Sequence, residues 1–146
     1  MGNELITKEN EKNIVNNNDV YFKRESNENI LKIKYKIISP GEKIRLIGHK
    51  FYEKNNDKCK MIIDFTLSNL LEFYTSNHRE SSIIVTLSLN NKIIDLSYIF
   101  YECTSLVSIS DLNYLNLNKV TNISYMFYGC SSLNHYQVFL IGKQIK

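Results

Sequence analysis

A chain of 146 residues, 43% hydrophobic and 23% charged, can bury one ordinary core. Its net charge of +3 is too weak to mark a nucleic-acid binder on global balance. Three cysteines without a CxxC pair (Cys59, Cys103, Cys130) argue against a closed disulfide framework and a Cys-rich zinc site, and favour a reducing compartment.

Residues 1–29 are polar and rich in Asn, Glu and Lys, with no sustained periodicity, so they read as a disordered tail. There is no apolar signal core near the start and no apolar run of bilayer length. The expected location is therefore cytoplasmic.

Residues 30–90 read as a small β-rich N-terminal or capping domain. Leu31, Ile33, Tyr35 and Ile37 alternate with Lys32, Lys34 and Lys36, the period of a half-buried strand with a lysine face. Ser39-Pro40-Gly41-Glu42 has turn chemistry, and Ile44 and Leu46 flank Arg45 beyond it. This predicts a β-hairpin over 30–47. Residues 48–58 read as a polar loop, 59–63 as a third strand, and 64–66 as a turn. Ser68 looks like the N-cap of a short helix over 69–74. Residues 83–89 alternate again and predict a fourth strand.

From residue 91 the chain repeats itself. Asp95-Leu-Ser-Tyr-Ile-Phe-Tyr-Glu-Cys-Thr-Ser-Leu106 returns 27 residues later as Asn122-Ile-Ser-Tyr-Met-Phe-Tyr-Gly-Cys-Ser-Ser-Leu133. A fixed period of this size marks a repeat architecture. Helical spacing would gather Leu96, Ile99, Phe100 and Cys103 on one side, and Ile123, Met126, Phe127 and Cys130 on the other copy's equivalent. Each unit therefore reads as a two-turn helix followed by a short strand that begins at Leu106 or Leu133. Together these ten residues form the expected repeat core. Tyr136, Val138 and Leu140 read as a closing strand.

Val120-Thr-Asn-Ile-Ser-Tyr-Met-Phe127 and the following Cys130-Ser-Ser-Leu133 resemble the repeat of BspA-like leucine-rich-repeat surface proteins, V-T-N-M-S-x-M-F-x-x-C-x-S-L. Residues 93–106 are a looser copy. The resemblance implies a right-handed parallel solenoid with a strand and a short helix per coil, and a role in adhesion or protein–protein interaction. It also implies a cell-surface setting and supplies no catalytic residues. The spacing of 27 is longer than that of many members, and two repeats are fewer than the three or so that a solenoid needs.

The chemistry-bearing residues form no recognisable catalytic constellation. His49, His78 and His135 lie far apart without metal-ligand spacing, and there is no P-loop, GxGxxG or GxSxG motif. Cys103 and Cys130 occupy equivalent repeat positions, which points to packing. Phe100 and Phe127 are expected inside the coils, while Tyr101 and Tyr128 point outward as candidate partner contacts. Lys32, Lys34, Lys36 and Arg45 form a candidate anion-binding face, although a lysine row more often protects an exposed sheet.

The expected fold is thus α+β: a β-rich segment with a hairpin, short strands and one short helix, then a solenoid of about two coils over 91–146. The expected function is non-enzymatic protein interaction or adhesion, without a cofactor or metal, and with self-association through the solenoid end. The alternatives are an anionic-ligand or phosphate-surface binder, an orphan cysteine enzyme, or a degenerate paralogue without a partner. There is no strong nucleic-acid or membrane signal.

Overall fold

A computed structural model describes residues 4–6, 12–16, 19–22, 29–77, 79–111 and 115–144. Within the stretch read as a disordered tail, three short strands, β1 (Glu4–Ile6), β2 (Lys12–Asn16) and β3 (Asp19–Phe22), pair antiparallel in that order. Low apolar content hid them, because a small meander needs only a few pairing residues per strand.

The alternation of Ile and Leu with Lys produces β4 (Asn29–Lys36), whose lysines are exposed while Leu31, Ile33 and Tyr35 are fully buried. β4 lies between β10 (Leu106–Ser110) and β9 (Ser82–Leu89) in a five-stranded antiparallel sheet. β6 (Cys59–Ile63) and β7 (Thr66–Asn69) complete that sheet beyond β9. One sheet face, carrying Ile33, Met61, Val85, Leu87 and Leu106, closes a single core with Leu46, Phe51, Leu96, Ile99 and Phe100 from the opposite layer. Full burial of each such side chain contributes about 1.5–3 kcal/mol. The core draws from both sides of residue 90.

The predicted hairpin over 30–47 does not form. Its turn exists, with Gly41 at φ 81° and the Glu42 amide donating to the Ser39 carbonyl, but it acts as a corner. It sends β5 (Lys43–Arg45) into the second layer, where β5 pairs with β8 (Phe73–Thr75). The buried Tyr35 hydroxyl bridges the layers by donating to the Leu46 carbonyl at 2.7 Å. The predicted helix over 69–74 is replaced by the end of β7 and by β8. A six-residue helix offers few internal hydrogen bonds, and both neighbouring strands offer a full ladder. Conversely, the predicted loop over 48–58 holds α1 (His49–Asn55), with Phe51 and Asn55 buried one turn apart. The predicted C-terminal strand is instead α2 (His135–Gln144). No described helix is long and apolar enough to cross a membrane.

The repeat units are consecutive tight turns rather than helices. Amides of Ile99, Tyr101 and Cys103 donate three residues back, to Leu96, Tyr98 and Phe100. Tyr98 and Glu102 have positive φ, and so do their counterparts Tyr125 and Gly129, which no α-helix accommodates. The amides between them point sideways: Leu96, Tyr98, Phe100 and Glu102 donate to the carbonyls of Asn122, Ser124, Met126 and Tyr128 at 2.7–3.1 Å. The first unit therefore divides its amides, alternately, between its own turns and the carbonyls of the second. Asp95 and Asn122 start the two turns with the same device, a side-chain oxygen accepting the amide two residues on. Beyond the first unit the strand β10 runs antiparallel to β4, so the sheets are antiparallel and none of them winds as a solenoid.

The positive φ of Glu102, 57°, costs an L-residue about 1–2 kcal/mol. The second copy meets the same demand with Gly129. Glu102→Gly should raise the unfolding free energy by about 0.5–1 kcal/mol after the entropy of the new glycine is charged. Urea titration at fixed pH measures it.

Candidate functional site

The two stacked turns bring four tyrosines together on the surface. Tyr98 stacks on Tyr125 with ring centres 5.1 Å apart, and Tyr101 on Tyr128 at 5.2 Å. Within each unit the rings meet at an angle, Tyr98 to Tyr101 at 5.3 Å and Tyr125 to Tyr128 at 6.2 Å. The Lys50 ammonium lies 4.4 Å from the centre of the Tyr98 ring, a cation–π contact. Tyr125 and Tyr128 remain 57% and 59% exposed, whereas Tyr98 and Tyr101 are half-buried. The array is two stacked tyrosine pairs set side by side.

Of the predicted contact residues, Tyr101 and Tyr128 thus sit side by side in one array. Tyr98, Tyr125 and Lys50 belong to it too. The recurrence of Tyr at both positions held the signal, because residues in register across a repeat stack on each other. On the core side of the turns, Phe100 is fully buried and stacks on the half-buried Phe127 at 5.8 Å. Leu96, Ile99, Cys103, Leu106, Met126 and Leu133 are buried, while Ile123 and Cys130 are only partly so.

No family model, curated protein or solved structure matches the chain.

The predicted basic face divides. Lys32, Lys34 and Lys36 project from the exposed face of β4, level with Thr86, Ile84 and Ser82 of β9. Among the described residues none of the three has an ion pair. Arg45 lies in the second layer, on the other side of β4, and its guanidinium is committed to Glu72 at 2.5 Å and to the Phe73 ring at 4.4 Å. It is not part of the lysine row.

Glu72 organises that second layer. Its carboxylate also meets His49 at 3.2 Å, and its carbonyl accepts the Leu46 and Ile47 amides. Burial pushes its carboxyl up, but hydrogen bonds and charge from His49 and Arg45 outweigh this and hold it below the usual glutamate value. A carboxylate with a depressed value stabilises the fold above its ordinary titration range, and the contribution is lost as pH falls through the depressed value. Wild type should therefore lose stability on acidification below the ordinary glutamate range more steeply than Glu72→Gln. Denaturation midpoints from neutral to acid pH measure the difference.

The thiols are arranged for packing. Burial, with Cys130 nearby, raises Cys103 well above the ordinary cysteine value, and burial pushes Cys130 up to about 11. Cys130 donates to the Phe100 carbonyl at 3.0 Å, tying one unit to the other. His135 starts α2, and His78 lies outside the described residues. A cleft of about 580 Å³ between α1 and the start of the first repeat is walled by Phe51, Lys54, Lys58, Lys92 and Asp95. Its Lys54 and Asp95 charges face each other at 3.7 Å.

Proposed function

We propose that the chain is a non-enzymatic binding module that engages a protein partner through the tyrosine array. The observation that carries this reading is the pair of exposed, mutually braced rings, Tyr125 and Tyr128. Aromatic side chains held in place lose little entropy on binding and supply much of the energy at protein interfaces. The two stacked turns read as a minimal leucine-rich-repeat-like coil pair, in keeping with the BspA-like resemblance and its interaction role.

The test is capture of partners from an extract of the parent organism by immobilised chain, against the Tyr125→Ala, Tyr128→Ala double variant. The array reading expects a partner whose affinity falls by at least about tenfold in the variant. A partner that binds both forms equally sinks it. The lysine row, exposed on β4, supports a second reading, an anionic surface bound by Lys32, Lys34 and Lys36. That reading expects binding to weaken steeply with salt and to be indifferent to the tyrosines.

A further inference from the structure

The backbone of the second repeat has a polarity that determines what can join it. Carbonyls of Asn122, Ser124, Met126 and Tyr128 accept from the first repeat. Those of Ile123, Tyr125, Phe127 and Gly129 accept from amides of their own turns. The amides of Met126, Tyr128 and Cys130 are engaged locally, and that of Ser124 by the Asn122 side chain. Four amides are left: Ile123, Tyr125, Phe127 and Gly129, which have no acceptor among the described residues. They are the counterparts of the four that join the first repeat to the second. The outer edge of the repeat pair is therefore a row of donors only.

The side chains along that edge are unfinished in the same sense. Ile123, Phe127 and Cys130 are half-buried where Leu96, Phe100 and Cys103 are buried. Tyr125 and Tyr128 each have a ring stacked on one face only by a repeat partner. On the helix that follows, Tyr136 and Val138 stay 63% and 40% exposed.

We propose that this edge receives, from another polypeptide, a coil of the same consecutive-turn kind. Such a coil presents a carbonyl at every second residue, as Asn122, Ser124, Met126 and Tyr128 do, and brings aromatic rings onto Tyr125, Phe127 and Tyr128. The established interface between the two repeats is the template. An ordinary edge strand fits poorly, because it offers amides as well as carbonyls and would set donors against donors. Two copies of this chain related by a two-fold axis meet the same obstacle, since an isologous contact brings the same donor row to both sides. A head-to-tail copy is blocked as well. The acceptor side of the first repeat is occupied at Ile99, whose carbonyl takes the Gly48 amide at 2.9 Å, and there is no room there even for a Cβ on Gly48.

This inference rests on the reading of the repeat surface as a binding surface, and it names the partner's chemistry. The test uses the full chain and a synthetic peptide of residues 120–133, with Cys130→Ser and blocked ends, followed by residue-resolved amide exchange. Without peptide, the amides of Ile123, Tyr125, Phe127 and Gly129 should exchange faster than those of Met126, Tyr128 and Cys130. With peptide at millimolar concentration, the first four should slow by about tenfold or more while the locally bonded amides change little. Absence of protection at those four positions, or protection spread without alternation, overturns the proposal. Loss of a natural partner in the tyrosine double variant together with unprotected alternate amides would leave the binding module standing and remove only the edge. Alternating protection with a partner indifferent to the tyrosines would do the reverse.

Discussion

Gly48→Ala is expected to lower the melting midpoint by about 10 °C or more. Gly48 begins α1 and gives its amide to the Ile99 carbonyl at 2.9 Å. A Cβ at this position would overlap the Tyr98 carbonyl oxygen and lie 2.9 Å from the Tyr101 Cβ. The Tyr98 oxygen is backbone, held by the Tyr101 amide in a tight turn, so it cannot swing aside as a flexible side chain would. Relief requires α1 to withdraw from the first repeat, which breaks the hydrogen bond and loosens Phe51 in the core. Overpacking in a rigid site costs about 1–3 kcal/mol and more where backbone must shift, and total stability for a domain of this size is about 5–15 kcal/mol. Thermal melting by circular dichroism reads the result. A midpoint within a few degrees of wild type would show that α1 and the repeat do not meet as described.

Phe100→Ala and Phe127→Ala should differ although the residues are repeat equivalents. Phe100 is fully buried, between the sheet-backed core and the ring of Phe127, so its removal opens a cavity that the surrounding turns cannot fill. The expected loss is about 3–5 kcal/mol. Phe127 is half-buried, and solvent reaches the space that its ring leaves. The expected loss is about 1–2 kcal/mol, in proportion to the smaller area removed from water. Equal losses would mean that the outer face of the second repeat is sealed. Chemical denaturation of both variants at one temperature separates these outcomes, with the slope checked for constancy.

Alternation was the most legible feature. It identifies β4 and β9, because period 2 over seven or eight residues has one structural meaning, and it assigns the lysines to the open face. Sequence could not say which strands pair. Ile44 and Leu46 look like the return arm of β4's hairpin, yet the arm's partner is β8, about 30 residues further on. The repeat was visible through its letters, but its backbone was misread. Apolar residues at i, i+3, i+4 and i+7 suit a helix and also suit a chain of turns that buries the same side chains. What separates the two is φ at Tyr98 and Glu102, and neither residue type advertises a positive value. Gly129 was the one letter that hinted at it. Of the candidate site, Tyr101 and Tyr128 were readable as outward neighbours of buried positions. Tyr98 and Tyr125 recur in register too, but the positive φ that places them beside Tyr101 and Tyr128 is not written in their letters.

The placement of β4 sets a problem of timing during synthesis. It pairs on one side with residues 82–89 and on the other with 106–110. A ribosome adds about 5–20 residues per second, so β4 waits on the order of several seconds before both neighbours exist. Until residues 82–89 emerge Leu31, Ile33 and Tyr35 have no sheet to enter, and a bare strand of this kind recruits other nascent chains. Lys32, Lys34 and Lys36, set between them, put like charges on any second copy that approaches in register. The row that decorates the finished sheet thus also serves the unfinished chain.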